Sequence, residues 1–142
     1  MTDSARDRID IATVQNTYAV AIDTRDWGLL ATCFSPDAQI RYGRPARTTG
    51  REEFLKWAPE FHDPLGPTLH QNSSHRAVVD GDHATGSCYL HAVLVAGSGE
   101  SAESVYGSYT DEFTRGPDGW QISRRSFRAS WLTRTTRPAP QA

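Results

Sequence analysis

The chain has 142 residues, of which 37% are hydrophobic and 23% charged, and its formal net charge is −2. This length predicts a single domain that buries about two-thirds of its unfolded surface. The slight excess of acids argues against nucleic-acid binding, and no apolar run approaches the roughly 18 residues of a membrane span. The polar N-terminus lacks the apolar core of a signal peptide, so we expect a cytoplasmic protein.

The first part of the chain has helical patterns. Apolar residues recur at mostly helical spacing over residues 7–23, and Ser4 or Asp3 can cap the start of this helix. Asp26 has the position of an N-cap for a second, short helix over residues 27–34. A third helix begins after Thr49-Gly50-Arg51-Glu52, which has the form of a capping box. The segments between helices are predicted as a turn at 35–38, a short strand at 39–43 and a loop at 62–71.

From about residue 70 the pattern changes to long strands joined by tight turns. The turn sequences are DGD at 80–82, GSGE at 97–100 and GPDG at 116–119. Because the helices come first and the strand meander follows, we expect an α+β domain over residues 1–132. A flexible polar tail is expected at 133–142. The predicted strands of the meander lie at 75–79, 84–97, 101–115 and 120–132.

Asp23 stands near the end of the first predicted helix, where the helix dipole disfavours a negative charge by about 0.3–1 kcal/mol. Asp26 already serves as the cap of the next helix, so capping does not explain Asp23. The local sequence also allows a surface carboxylate, or one that is paired with Arg25 or another arginine. Tyr18 lies about 140° from Asp23 around the helix, and by itself it is typical of a core tyrosine with a satisfied hydroxyl.

The five histidines differ in their predicted surroundings. His62 and His83 are expected on the surface, whereas His70 stands where a loop enters the first long strand. His75 has the opposite strand parity to His70 unless a bulge intervenes, and His91 lies within an apolar strand segment. Their spacing does not match a zinc site, so no metal is predicted.

Several classes of chemistry lack their sequence motifs. The chain contains no GxSxG, GxGxxG or GxxxxGK[ST] motif, and Cys33 and Cys88 form no CxxC pair. We expect both cysteines to be free, buried thiols. The remaining Asp, His and Tyr side chains are typical of proton transfer rather than nucleophilic catalysis.

The order of several segments resembles the SnoaL-like branch of the NTF2-like superfamily, closest to the scytalone dehydratase and bile acid 7α-dehydratase group. These segments span residues 7–132: Tyr18, Asp23 and Trp27, then CFSPDA at 33–38, Tyr42, LHQN at 69–72, VDGDHA at 79–84 and YTDEFTRGPDGW at 109–120. The resemblance implies an NTF2-like cone, in which a curved antiparallel sheet wraps around the N-terminal helices and encloses an apolar pocket.

The resemblance also implies site residues. Tyr18, Asp23 and His70 match the spacing of a Tyr–Asp–His set that acts together in the bile acid dehydratases. Tyr42 matches a second pocket tyrosine of scytalone dehydratase, and His91 matches its second histidine loosely because the spacing is shorter. The pocket Ser and Asn of that enzyme have no clear counterpart, which argues against scytalone as the substrate. The other residues expected around the substrate are Phe34, Trp57, Phe61, Asn72, Tyr89 and Tyr109.

These matches predict an enzyme without metal or organic cofactor. A poorly solvated Asp23 with a raised pKa would pair with His70, which would move a proton next to a carbonyl group. Tyr18 and Tyr42 would donate hydrogen bonds to the carbonyl oxygen. The expected reaction is dehydration, isomerisation or cyclisation of a small hydrophobic or polycyclic carbonyl compound.

Two other functions remain open from the sequence. An epoxide hydrolase-like enzyme could use Asp23, Asn72 and arginines to activate water. A non-catalytic ligand-binding or partner subunit could share the same fold. In each case, the resemblance implies a homodimer or homotrimer, in which another subunit covers the outer face of the sheet.

Overall fold

The computed structural model describes residues 4–138, which form three helices and six strands. The helices are α1 (Ala5–Asp23), α2 (Trp27–Thr32) and α3 (Arg51–His62). The strands are β1 (Phe34–Tyr42), β2 (Arg47–Gly50), β3 (Thr68–Asp80), β4 (His83–Val95), β5 (Ser101–Gly116) and β6 (Gly119–Thr136).

The six strands form one curved sheet in the order β2-β1-β6-β5-β4-β3. Strands β3 to β6 pair antiparallel in sequence order, which confirms the predicted meander. Strand β1 pairs parallel with β6, so the sheet is mixed, although most of its strands pair antiparallel as predicted. Helix α1 packs across the sheet against β3 and β6, and the α+β cone is therefore confirmed.

Local capping explains where α1 and α2 begin. The Ser4 hydroxyl accepts a hydrogen bond from the backbone N–H of Asp7 at 3.1 Å, and the Asp26 carboxylate accepts one from Leu29 at 2.9 Å. Both predicted caps are confirmed, whereas Asp3 lies outside the described residues. Helix α3 starts after Gly50 with no side-chain cap, so the predicted capping box was wrong.

Three predicted segment boundaries were also wrong. Residues 35–38 belong to β1, because its irregular pairing with β6 accommodates Pro36 within the strand. The loop before the meander ends earlier, since Thr68 already pairs with Leu94. Strand β6 continues to Thr136, beyond the predicted end at 132, because its partner β5 begins at Ser101. Residues 139–142 of the predicted tail lie outside the described residues.

The core lies between the helices and the inner face of the sheet. Phe54 of α3 is fully buried, and its ring packs edge-on against Phe34 and stacks near Tyr18. Cys33 and Cys88 are both buried and free. None of the helices in residues 4–138 combines the length and apolarity that crossing a bilayer requires.

Candidate active site

A cavity of about 860 Å³ lies between the inner face of the sheet and the helices α1 and α3. This volume suits a small organic molecule of one or several rings. Apolar and aromatic side chains form most of the wall, and arginines and histidines provide basic groups. The sequence-predicted residues on this wall are Tyr18, Tyr42, Trp57, Phe61, His70 and Tyr109.

Asp23 and His70 form a hydrogen-bonded pair at one side of this cavity. The Asp23 Oδ1 atom lies 2.7 Å from Nδ1 of His70, and both side chains are largely buried. Asp23 reaches this position because it is the last residue of α1, and His70 because it lies near the start of β3. His70 lines the cavity, whereas Asp23 lies behind it.

Every oxygen of the Asp23 carboxylate has a donor. The Thr68 hydroxyl donates to Oδ1 at 2.9 Å, and the backbone N–H of His70 donates to Oδ2 at 2.7 Å. Arg25 does not pair with Asp23 directly, but donates to the Thr68 hydroxyl and to the backbone oxygen of Ile22, each at 2.8 Å. The carboxylate is thereby held in one orientation towards the imidazole.

The expected raised pKa of Asp23 was wrong. Burial raises the pKa of this carboxyl, but hydrogen bonds from the His70 ring, the His70 backbone and Thr68, together with the His70 charge, outweigh it. The pKa of Asp23 is therefore lowered below its ordinary value. Asp23 is a carboxylate at neutral pH, suited to orienting His70 and stabilising its positive charge rather than to acting as the base.

The pairing with Asp23 fixes the tautomer of His70. A carboxylate only accepts hydrogen bonds, so the proton of the neutral imidazole resides on Nδ1. Nε2 is then the unprotonated nitrogen of a ring that lines the cavity. In this tautomer, Nε2 is the ring atom that can take up a proton.

Arg125 is a functional candidate that the sequence reasoning missed. It is 1% exposed, lines the cavity and forms two hydrogen bonds with Asp111, at 2.7 and 2.8 Å. Its Nη1 is buried and has no hydrogen-bond partner among residues 4–138. Burial opposes its charge, yet Asp111 outweighs burial and raises the pKa of Arg125. Strand alternation in the sequence indicates only that Asp111 shares one strand face with Tyr109 and Phe113, and it does not reveal the pairing with Arg125.

Two tyrosine rings pack against this guanidinium. The Arg125 guanidinium carbon lies 3.8 Å from the Tyr109 ring centroid and 4.5 Å from that of Tyr18. Burial raises the pKa of Tyr18 and raises that of Tyr109 further. Both phenols therefore stay protonated and can donate hydrogen bonds at neutral pH.

His62 also lines the cavity, although a surface position was expected. Helix α3 continues through this residue, so its ring packs against Trp57 and lies 6.1 Å from the ring of His70, between centroids. Its Nδ1 donates to the backbone oxygen of Ala58 at 2.7 Å. Burial lowers the pKa of His62 to about 4, so this second imidazole is neutral at physiological pH.

Four predicted substrate-contacting residues lie away from the cavity wall. Tyr89 is 61% exposed, and His91 stacks on Tyr106 with ring centroids 4.3 Å apart. The predicted position of both residues was wrong, because side chains alternate along β4 and it is Leu90 and Ala92 that line the cavity. The other two are Phe34, which is buried against Tyr18 and Phe54, and Asn72, whose amide donates to the backbone oxygen of Gln15.

A bulge in β3 decides the position of His75. The pairing with β4 shifts between Ser73 and Arg76, and Ser74 has a left-handed backbone with φ of 53°. The extra residue reverses the strand parity, so His75 turns inward like His70. The conditional prediction made from the sequence therefore holds. Among residues 4–138, no three His, Cys, Asp or Glu side chains are grouped as metal ligands.

Comparison with known proteins shows the family to which this chain belongs. The SnoaL-like domain family matches residues 3–126. The uncharacterized protein Rv2910c of Mycobacterium tuberculosis is 32% identical over 122 residues, covering 84% of this chain and 82% of that protein. The uncharacterized protein Mb2934c of Mycobacterium bovis matches to the same extent. The chain belongs to the SnoaL-like domain family, as its sequence motifs predicted.

Solved structures share the fold at lower identity. The Kfla4162 protein of Kribbella flavida superposes with a TM-score of 0.83 at 23% identity, over 92% of this chain and 95% of that one. The hexachlorocyclohexane dehydrochlorinase LinA-type3 of Novosphingobium barchaimii gives 0.79 at 21% identity, over 90% and 89%. A protein of Novosphingobium aromaticivorans provisionally named scytalone dehydratase gives 0.79 at 22% identity, over 93% and 92%. These similarities establish the cone-shaped architecture.

Proposed function

We propose that this protein is an acid–base enzyme that needs no cofactor and acts on a small cyclic or polycyclic carbonyl compound. The reaction is dehydration or isomerisation, with cyclisation as a related outcome, because all three pass through an enolate. The single observation that carries the proposal is the 2.7 Å contact between Asp23 and Nδ1 of His70, whose ring lines the cavity.

The dyad supports removal of a proton next to the carbonyl group. Nε2 of His70 takes the proton from carbon, and the two electrons of that C–H bond move into the enolate. Asp23 stabilises the imidazolium that forms. In dehydration, the imidazolium returns the proton to the β-hydroxyl, the C–O bond breaks, and water leaves. In isomerisation, the same proton returns to a different carbon.

Arg125 supports stabilisation of the negative charge on the enolate oxygen. The Arg125 guanidinium is buried, and its Nη1 has no partner among the described residues, so it can donate a hydrogen bond to the oxygen that gains charge in the enolate. Tyr18 and Tyr42 lie on the same cavity wall and can donate further hydrogen bonds. Because these donors are fixed before the substrate binds, little reorganisation is needed as the charge develops.

The names of two similar structures agree with this reaction class. One is called a hexachlorocyclohexane dehydrochlorinase and the other is provisionally called a scytalone dehydratase. An epoxide hydrolase-like reaction has less support, because the Asn72 amide is engaged with the backbone of Gln15. A binding-only role also has less support, since a binder does not need a buried carboxylate fixed to a cavity-lining imidazole.

We also propose that a second copy of the chain covers the outer face of the sheet, giving a homodimer or homotrimer. Aromatic side chains on neighbouring strands pair in a row on this face, and two of the three are exposed. Trp131 is 64% exposed and pairs with Tyr106, which in turn pairs with His91. A patch of this kind on a monomer is a typical interaction surface.

The proposed reaction is tested with a panel of cyclic β-hydroxy ketones. Loss of water is followed by the absorbance of the enone, and α-proton exchange in D₂O is followed by NMR. We expect Asp23→Asn and His70→Ala to lower the rate by about 10²–10⁴-fold, the usual contribution of a general base. His83→Ala is the matched control, because His83 is exposed on β4.

Folded Asp23→Asn and His70→Ala proteins that retain the wild-type rate would exclude the dyad as the catalytic base. Saturable binding of the panel by wild-type protein, without exchange or turnover, would favour the ligand-binding alternative.

A further inference from the structure

A chain of hydrogen bonds, buried except at His75, leads from the main cavity to a second, smaller one. Beyond the Arg125–Asp111 pair, Asp111 Oδ2 accepts from the Gln15 side-chain amide at 2.9 Å. The Gln15 Oε1 atom in turn lies 2.7 Å from Nδ1 of His75. Gln15, Asp111 and Arg125 are each at most 1% exposed. His75 and Gln15 border a second, smaller cavity of about 180 Å³.

The donor and acceptor roles along this chain follow from the charges. Asp111 is paired with a guanidinium and only accepts, so the NH₂ group of Gln15 must face it. Oε1 of Gln15 then faces His75, which must donate from Nδ1. The tautomer of His75 is therefore set by Arg125, three side chains away.

Two backbone features hold this chain in place. The Asn72 amide donates to the backbone oxygen of Gln15 at 2.9 Å and fastens α1 to β3. The bulge at Ser74 turns His75 inward, where the regular strand would have pointed it to solvent. A buried ion pair contributes little to stability compared with apolar packing. This chain of hydrogen bonds therefore suggests a role in orienting the Arg125 side chain.

We infer that Gln15, Asp111 and His75 are positioning residues that keep the Arg125 guanidinium in one orientation, with Nη1 available to the cavity. Asp111 occupies the Nε and Nη2 edge of the guanidinium, which leaves Nη1 on the remaining side. Gln15 prevents the Asp111 carboxylate from rotating, and His75 prevents the Gln15 amide from flipping. The inference rests on the proposed function only in assigning Arg125 to the enolate oxygen.

The first experiment needs no substrate. Long-range ¹H–¹⁵N correlation spectra of labelled wild-type protein at pH 8 report which ring nitrogen of each histidine carries the proton. We expect His75 as the Nδ1–H tautomer, whereas exposed His83 serves as the internal reference for a solvated ring. A His75 spectrum of the Nε2–H tautomer would overturn the chain of donors and acceptors.

The second experiment separates positioning from folding. Gln15→Met keeps the length of the side chain but removes both hydrogen bonds, and Gln39→Met is the matched control on an exposed position of β1. We expect the Nε–H proton of Arg125 to exchange with solvent at least tenfold faster in Gln15→Met. The kcat of an active substrate should fall at least tenfold, with KM changing less than twofold. Gln39→Met should change none of these values.

The results distinguish this inference from the proposed function. Unaltered Arg125 exchange and kcat in folded Gln15→Met protein would refute positioning, even if the dyad variants lose activity. If no substrate is turned over by wild-type protein, the proposed function fails, while the His75 tautomer and Arg125 exchange still decide the positioning inference. If Gln15→Met does not fold, the wild-type tautomer decides it.

Discussion

At the scale of residues, two histidines on one cavity wall have different electrostatic surroundings. His70 donates to a carboxylate, whereas His62 donates to a backbone carbonyl and is surrounded by aromatic rings. Burial without a charged hydrogen-bond partner lowers the pKa of His62 to about 4. His62 therefore stays neutral at physiological pH, and the proton transfer that we propose is assigned to His70 alone.

His62 makes the stability of the protein depend on pH. Its folded pKa of about 4 lies below the unfolded value of 6.5, so the unfolded state binds more protons between these values. The free energy of unfolding should fall as the pH drops from 6.5 to 4, and His62→Phe should remove about 2–3 kcal/mol of this fall. Urea denaturation of both proteins at pH 7.5 and 4.5 measures the difference.

The exposed His83→Phe variant is the control for this measurement, and it should retain the wild-type pH dependence. If wild-type and His62→Phe proteins lost the same stability between the two pH values, folding would not lower the pKa of His62, and the prediction would be wrong.

At the scale of elements, the periodicity of the sequence predicted α1, α3 and the four-strand meander, because each buries one regular face. Strand β1 was missed in part, since its Ser-Pro-Asp segment has turn chemistry and its parallel pairing with β6 depends on residues far along the chain. Asp23 and His70 were found through the family spacing. Arg125 and its buried partners were missed because their pairing is visible only once β5 and β6 lie side by side.

The bulge in β3 is the element that local sequence least indicates. Ser74 has φ of 53°, a conformation that costs a non-glycine residue about 1–2 kcal/mol and a β-branched residue more. We expect Ser74→Val to lower the free energy of unfolding by about 2 kcal/mol and to release His75 from Gln15. Ser74→Gly should be neutral or slightly stabilising.

Ser73→Val is the matched control, because Ser73 is also exposed but still pairs regularly with Tyr89. Denaturation curves and the tautomer of His75 are the two measurements. Equal stabilities of Ser74→Val and Ser73→Val would contradict a strained bulge at Ser74.

At the scale of the whole molecule, the two faces of the sheet differ in what they contact. The inner face closes over the cavity, and the outer face exposes the aromatic row around Tyr106 and Trp131. Both faces of β4 are apolar near its end, and this pattern supports the proposal that a second copy covers the outer face. The proposed oligomer would bury this row without changing the cavity wall.

A charge in the aromatic row should therefore dissociate the assembly. We expect wild-type protein to sediment as a dimer or trimer at micromolar concentration, and Trp131→Glu to shift it towards monomer. Ile9→Glu is the control, because Ile9 is 62% exposed on α1, away from the sheet. A monomeric wild-type protein in sedimentation velocity would exclude the proposed oligomer.

The two buried cysteines have a practical consequence for studying the molecule in a cell. Cys33 and Cys88 are at most 2% exposed, and burial raises the pKa of each thiol to about 11. A thiol that is both protonated and enclosed reacts slowly with alkylating reagents and oxidants. Labelling of either cysteine would thus mark molecules that have opened, so that a mass shift counts the unfolded fraction directly, without a tag or an assay for the substrate.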